Sequence, residues 1–356
     1  MKSIAVIGPN ADSREALVGN YCGTSSRYHT VLEGISDYLK DELRVYYAEG
    51  CHLYKDRVEP LALKSDRIAE AVSAAEKSDA VVLCLGLNAT IEGEEGDAGN
   101  SYASGDKSDL DLPGEQQKLM EAVVAVGKPV ILVLLSGSAL AVNWADEHVQ
   151  AIVQAWYPGA MGGKAIASML FGDYSPSGKL PVTFYKTSEE LPDFRDYSMG
   201  NRTYRYMKQE ALYPFGYGLS YTKFEYSVPV LSETNIIAGS DIDAYTYVTN
   251  TGSIKSEEVV QLYLQDEEAS TRVPKWQLAG IKKICIEAGK SAKVQFHVTA
   301  RQMCIIDDEG RCVLEPGEFR VYIGGSQPDS RSMKLLTTQV NFTDFSVTGN
   351  KLPMAR

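Results

Sequence analysis

The chain has 356 residues, a length that favours two domains over one. Hydrophobic residues make up 44% of the chain and charged residues 23%, a composition that excludes intrinsic disorder, a collagen-like fibre and a disulfide scaffold. The formal net charge of -12 argues against nucleic acid and anionic lipid as partners, because a surface with this excess repels phosphate groups.

The first half of the chain alternates apolar runs with helix-like segments. Four runs predict strands buried on both faces of a sheet: residues 4–7, 45–48, 81–85 and 130–135. Between them, apolar residues spaced three and four apart predict helices over residues 30–39, 66–77 and 115–126. This order predicts an α/β fold, a mostly parallel sheet flanked by helices on both faces.

The longest connection, residues 87–113, follows the third predicted strand and contains Glu92, Glu94, Glu95 and Asp97. Ligands of parallel sheets bind beyond the carboxyl ends of the strands, so this segment is a candidate site. Neighbouring carboxylates cannot all ionise freely, which suits a general acid. A solvated acidic loop is the alternative, and the residues alone favour it.

From about residue 224 the pattern changes to short alternating segments separated by turn residues. The clearest are residues 243–248, 259–264, 293–298 and 317–325, which predict an antiparallel β-sandwich. We therefore predict an α/β domain over 1–222, a β-sandwich over 223–345 and a tail over 346–356. Residues 213–221, rich in aromatics and glycine, are interpreted as the joint between the domains rather than as a sugar-stacking surface.

The sequence lacks the motifs of several classes of functional site. The four histidines are far apart and no CxxC pair occurs, so we expect no metal. Neither GxGxxG nor GxxxxGK[ST] follows a predicted strand, which disfavours a flavodoxin-like nucleotide binder, and we expect no cofactor. No run approaches the roughly 20 apolar residues of a membrane span, and no signal peptide precedes the first strand, so we expect no membrane partner and a cytoplasmic location.

Four segments resemble signatures of glycoside hydrolase family 3: residues 4–12, 86–113, 170–184 and, most specifically, 213–222. Residues 259–263 and 272–278 are similar to the fibronectin type III-like domain that follows in many members. Together these segments cover nearly the whole chain. The chain thus resembles the carboxyl-terminal α/β sandwich and fibronectin type III-like domains of the family, without its amino-terminal (β/α)8 barrel.

The resemblance implies a retaining, exo-acting β-glucosidase or β-xylosidase that hydrolyses terminal non-reducing β-linked sugars. The nucleophilic Asp of the family lies on the barrel, so this chain would supply only the general acid/base and would be inactive without a barrel in cis or in trans. Alignment with the Ile-Glu-Ala-Glu pattern of β-xylosidase-like members puts the acid/base on Glu92, with Glu94 second. With the resemblance, a catalytic Glu92 is favoured over a solvated one.

The same resemblance suggests substrate-binding roles for Asp97, Arg202 and Tyr204. Residues 202–206 resemble the β-xylosidase and arabinofuranosidase branch, whereas the acidic segment is also similar to bacterial β-glucosidases, so the sugar stays open. The expected partners are a β-linked oligosaccharide or aryl glycoside, a barrel domain, and a second copy of the chain through the face that a barrel would cover. The alternative is a non-catalytic structural or carbohydrate-binding module of the same fold.

Overall fold

The structure is a computed structural model and describes residues 1–57, 59–92 and 107–354. These residues form two compact units. The first contains Met1–Asp173 and Tyr185–Ser188, and the second contains Tyr174–Phe184 and the chain from Glu189 onward. Residues 189–222, which the sequence grouped with the α/β segment, therefore pack within the second unit.

The first unit is an α/β unit built on a five-stranded parallel sheet. Its strands are β1 Ser3–Ile7, β2 Arg44–Ala48, β3 Ala80–Gly86, β4 Val130–Leu135 and β5 Ala151–Gln154. Its helices are α1 Val31–Leu39, α2 Ile68–Glu76, α3 Gln116–Val124, α4 Asn143–His148 and α5 Gly162–Leu170, with a 3-10 turn at Glu15–Leu17. The strand order is β2-β1-β3-β4-β5. The predicted α/β fold is confirmed.

Side chains of the sheet alternate between its two faces, as the pleat of a strand requires. One face packs against α1 and α5, and its core includes Ile4, Val6, Val82, Cys84, Val133 and Leu135 from the strands. The intervening strand residues, such as Ala5, Val81 and Leu83, are equally buried. Burial on both faces is the reason that these strands read as uninterrupted apolar runs.

The start of α1 follows directly from its sequence. The Thr30 hydroxyl accepts the Glu33 N–H at 3.2 Å, and the Glu33 carboxylate accepts the Thr30 N–H at 3.0 Å. This reciprocal capping box satisfies backbone donors that the first helical turn leaves open. The predicted helix at 30–39 is thereby confirmed to within one residue.

Helix α1 crosses α5 at two glycines. A Cβ atom built on Gly34 would lie 2.1 Å from the carbonyl carbon and oxygen of Gly163. A Cβ on Gly163 would lie 1.8 Å from the Thr30 carbonyl oxygen. The backbones can approach this closely only because neither residue has a side chain.

The second unit is a mostly antiparallel β-sandwich. Its strands are β6 Phe224–Tyr226, β7 Val230–Leu231, β8 Asn235–Ile237, β9 Ile242–Asn250, β10 Ser256–Asp266, β11 Gln277–Ile286, β12 Ser291–Val298, β13 Ile305–Ile306, β14 Cys312–Leu314, β15 Gly317–Gly324, β16 Phe342–Thr348 and β17 Leu352–Pro353. Its helices are α6 Thr203–Tyr206 and α7 Ser330–Leu336, with a 3-10 turn at Ala300–Met303; a further 3-10 turn covers Ser188–Glu190.

Two sheets enclose the core of this unit, one with the strand order β11-β10-β15-β16-β8 and the other with the order β12-β9-β6. Strand β7 pairs with β9. A small third sheet has the order β13-β14-β17. Val260, Leu262 and Val321 from the first sheet and Val294 and Phe296 from the second belong to one buried cluster. Alternate residues along each strand supply it, which confirms the predicted all-β fold.

We predict that Gly34→Ala destabilises the α/β unit. Alanine is favoured over glycine inside a helix by about 1 kcal/mol, but the new methyl group would overlap the Gly163 backbone, at a cost of about 1–3 kcal/mol or more. Packing should therefore outweigh helix propensity. Urea unfolding followed by circular dichroism measures the change.

Gly23→Ala is the matched control, because no atom lies within 4 Å of the methyl group that it adds. Its free energy of unfolding should change by less than about 0.5 kcal/mol. Equal unfolding midpoints for the two variants would show that the α1–α5 contact tolerates a side chain.

Candidate functional site

The candidate site lies at the carboxyl edge of the parallel sheet of the first unit. The strand order reverses between β1 and β3, so the loops that follow these two strands diverge and leave a crevice. Glu92 lies in the loop after β3. Its contacts come from the loops after β4 and β5, which end at the same edge because all five strands are parallel.

The loop after β3 is held at its first residue. Leu87 donates its N–H to the Leu135 carbonyl at 2.7 Å, and the buried Asn10 side chain donates to the Leu87 carbonyl at 2.9 Å. Asn10 belongs to the loop after β1. The two loops that border the crevice are therefore joined by a buried hydrogen bond.

The next residues continue in a fixed turn. The Asn88 side-chain oxygen accepts the Thr90 N–H at 3.0 Å and the Thr90 hydroxyl at 2.7 Å, an arrangement typical of Asx turns. Ile91 is fully buried, and Glu92 donates its N–H to the Asn88 carbonyl at 3.2 Å. The backbone is thus positioned up to Glu92.

The carboxylate of the half-buried Glu92 is surrounded by hydrogen-bond donors. Oε2 accepts the Gly137 N–H at 2.7 Å and also the Tyr157 hydroxyl, while Oε1 accepts the Ser138 hydroxyl. We call these three groups the Glu92 donor set. Hydrogen bonds to a charged acceptor are shorter and stronger than those between neutral groups, so the donor set holds both carboxylate oxygens firmly.

The turn that carries Gly137 and Ser138 is itself braced. The buried Ser136 hydroxyl donates to the Ser138 carbonyl at 2.8 Å and accepts the Gln154 side-chain N–H at 3.0 Å. Gln154 is the last residue of β5. This strand-to-helix turn therefore uses the Ser136 hydroxyl for its own structure.

Tyr157 reaches Glu92 through space that two glycines leave open. A Cβ atom on Gly137 would lie 3.0 Å from the Tyr157 ring and 3.1 Å from the Glu92 Oε2 atom, and a Cβ on Gly19 would lie 3.2 Å from the same ring. Burial and the hydrogen bond to Glu92 raise the pKa of Tyr157. The phenol is therefore protonated near neutral pH and acts as a donor.

The remaining residues predicted for the site are placed differently. Glu94 and Asp97 lie outside the described residues. Arg202, in the second unit, donates to the Asp193 carbonyl at 2.9 Å. Tyr204 is 9% exposed in the same unit, and its ring stacks on Phe215 with centroids 4.3 Å apart. Substrate binding by Asp97, Arg202 and Tyr204 stays a prediction.

The described residues also bear on metal binding and on membrane insertion. In residues 1–57, 59–92 and 107–354, no group of three or more His, Cys, Asp or Glu side chains is arranged to hold a metal ion. No helix in this part of the chain combines the length and the apolar character that crossing a bilayer requires. Large hydrophobic side chains are exposed at Tyr21 (88%), Leu61 (98%) and Leu63 (76%). The expected self-association of the chain stays a prediction.

The sequence also matches known families. Residues 1–221 match the model of the glycosyl hydrolase family 3 C-terminal domain. The chain belongs to glycosyl hydrolase family 3. Residues 258–327 match the fibronectin type III-like domain, so the resemblance noted in both halves of the sequence is confirmed.

Relatives in family 3 include both xylosidases and glucosidases. A β-xylosidase of Formosa agariphila is 37% identical over 339 residues, which cover 92% of this chain and 44% of that protein. The periplasmic β-glucosidase of Salmonella typhimurium is 35% identical over 349 residues, which cover 90% of this chain and 44% of that protein.

A solved β-glucosidase structure from Erythrobacter marinus superposes with a TM-score of 0.82 at 33% identity, over 98% of this chain and 46% of that one. The family 3 chain thus spans less than half the length of the curated relatives named above.

Sequence reasoning did not find the Glu92 donor set. Gly137, Ser138 and Tyr157 belong to no catalytic motif, and Gly137 contributes only its backbone. One signal was available. Gly137 and Ser138 follow a predicted strand, Tyr157 follows a short apolar run, and in a parallel sheet such positions gather at one edge. That signal indicates the neighbourhood but not which side chain meets Glu92.

We predict that Asn10→Ala destabilises the α/β unit by about 1–3 kcal/mol, because it leaves the buried Leu87 carbonyl without a donor. Asn20→Ala is the control. Asn20 also donates to a backbone carbonyl, that of Glu92 at 3.1 Å, but in an exposed position where water replaces the lost donor. Urea unfolding should separate the two variants, and equal losses would contradict a special role for the buried contact.

Proposed function

We propose that this family 3 chain supplies the general acid/base carboxyl group of a retaining, exo-acting β-glycosidase. The observation that supports the proposal is the placement of Glu92 at the carboxyl edge of the sheet, half-buried and held by three donors. A general acid/base must be positioned relative to its substrate, and a carboxyl group on a braced loop meets that requirement.

The proposed reaction has two steps. In the first, the acid donates its proton to the leaving glycosidic oxygen while a nucleophilic carboxylate attacks the anomeric carbon and forms a glycosyl-enzyme bond. In the second, the same group, now a carboxylate, accepts a proton from water as that water displaces the nucleophile. Retention requires the two carboxyl groups about 5–5.5 Å apart. We propose that a (β/α)8 barrel domain carries the nucleophile.

Glu92 is the first candidate for the proton donor, and its contacts define how it would act. Oε2 meets the Gly137 N–H, which cannot accept a hydrogen bond, and the Tyr157 hydroxyl. Among the residues that the structure describes, Oε1 meets the Ser138 hydroxyl, which can rotate and accept instead. A proton on Glu92 would therefore be carried on Oε1.

One observation favours Glu94 as the second candidate. Each member of the donor set directs a hydrogen at the Glu92 carboxylate, so a proton on that group has to displace or reverse one of them. In that case Glu92 would be a positioning residue rather than the proton donor. The substrate class is the same for either residue: a β-linked glucoside or xyloside, as the names of the relatives suggest.

We predict that the chain alone does not turn over nitrophenyl β-glucoside or β-xyloside and that adding a separately expressed family 3 barrel restores turnover. The reason is that one carboxyl group cannot complete a double displacement. Initial rates measured against barrel concentration should saturate. Absence of turnover, with both parts folded by circular dichroism and associated by analytical ultracentrifugation, would favour a non-catalytic carbohydrate-binding module.

We predict that Glu92→Gln in the complemented enzyme lowers kcat/KM by about 10²–10⁴-fold on a glycoside with a poor leaving group. The loss should be much smaller on a dinitrophenyl glycoside, whose leaving group needs no proton. With the dinitrophenyl glycoside, added azide should restore turnover of the Glu92→Gln variant and yield a β-glycosyl azide. Azide attacks the anomeric carbon of the glycosyl-enzyme without help from a general base.

Glu94→Gln is the matched variant of this experiment. If the leaving-group dependence and azide rescue follow Glu94→Gln, the proton donor is Glu94. If neither variant depends on the leaving group, this segment does not supply the acid/base and the proposal is wrong.

A further inference from the structure

We infer that Tyr157 is a positioning residue that acts through Glu92, with Ser138 as its partner on the opposite carboxylate oxygen. The inference rests on the proposed function, because it concerns how the carboxyl-bearing loop is oriented for catalysis. It is carried by the geometry of the Glu92 donor set.

The first step concerns the freedom of the Glu92 side chain. The terminal torsion of a glutamate is broad, so an exposed carboxylate rotates readily. Here Oε2 meets donors that follow two different strands, Gly137 after β4 and Tyr157 after β5, while Ser138 holds Oε1. Contacts on both oxygens fix the plane of the carboxylate as well as its place.

The second step concerns the cost of placing the Tyr157 ring. Trp156, immediately before it, has φ of 55°, in the left-handed region that a bulky side chain seldom adopts. Such a residue costs about 1–3 kcal/mol and persists where its surroundings determine it, most often at functional sites. Gly19 and Gly137 leave the space that the ring occupies.

The third step separates the hydroxyl from the ring. The ring alone would account for packing between the two glycines. The hydroxyl adds a donor aimed at Oε2, and the raised pKa of Tyr157 keeps that donor protonated. Phenylalanine preserves the ring and removes only the donor, so Tyr157→Phe isolates the proposed contribution.

The test is a double-mutant cycle in the barrel-complemented enzyme with Tyr157→Phe, Glu92→Gln and the double variant. We expect Tyr157→Phe to lower kcat/KM by about 10–100-fold with little change in KM, as a small misplacement of a catalytic element does. In the Glu92→Gln background it should lower kcat/KM by no more than about twofold. A coupling of tenfold corresponds to about 1.4 kcal/mol.

Tyr38→Phe is the matched control. Tyr38 also donates to a carboxylate, that of Asp173 at 2.8 Å, and its ring stacks on Phe171. It belongs to the same unit but makes no contact with the donor set. We expect its kcat/KM to equal that of the wild type. Ser138→Ala provides a second variant if Tyr157→Phe does not fold, and it should show the same coupling to Glu92.

A second readout does not depend on activity. In the isolated chain with ¹³Cδ-labelled glutamate, the Glu92 carboxyl resonance, identified by its loss in Glu92→Gln, should shift in Tyr157→Phe and stay unchanged in Tyr38→Phe. An unshifted resonance in Tyr157→Phe, or losses in kcat/KM that multiply in the double variant, would overturn the inference.

Failure of the positioning role of Tyr157 can be distinguished from failure of the proposed function. If Glu92→Gln lowers kcat/KM but Tyr157→Phe acts independently of it, only the positioning role is wrong. If neither Glu92→Gln nor Glu94→Gln depends on the leaving group, the proposed function is wrong whatever Tyr157 does.

Discussion

The parallel direction of the five-stranded sheet is the constraint on which the rest of the α/β unit depends. Because every strand ends at the same edge, the loops after β1, β3, β4 and β5 are brought together although they are far apart in the sequence. The Glu92 carboxylate then receives donors that lie 45, 46 and 65 residues further along the chain. An antiparallel arrangement would send alternate loops to the opposite edge and separate these groups.

The chain turns sharply at the ends of β1 and β3, and in both places a glycine makes the turn possible. Gly8 after β1 and Gly86 at the end of β3 have φ of 119° and 134°, and a Cβ on either would lie 2.1 Å from a carbonyl oxygen of a neighbouring strand. Only glycine combines this conformation with so close an approach. The sharp exits leave each loop near the crevice, where Asn10 holds Leu87 and the chain continues to Glu92.

The proposed function gives this family 3 chain a part of a catalytic site rather than a whole one. The chain spans 44% of the length of the Formosa agariphila and Salmonella typhimurium relatives. A retaining glycosidase needs two carboxyl groups, and in the proposed function this chain supplies one of them. A group that meets its partner carboxylate only in the complete enzyme benefits from being held beforehand, since orientation already established need not be created during the reaction.

The sequence by itself determined four of the five strands of the sheet, helix α1 and the family, because buried apolar runs, helical spacing of apolar residues and long motifs are local signals. It did not predict β5, which is four residues long and only half-buried, or α5, which begins with two glycines. Only the tertiary structure placed Gly137, Ser138 and Tyr157 around Glu92. The reason is physical: these contacts depend on strand order and on the shape of turns, and neither leaves a periodic pattern in the chain.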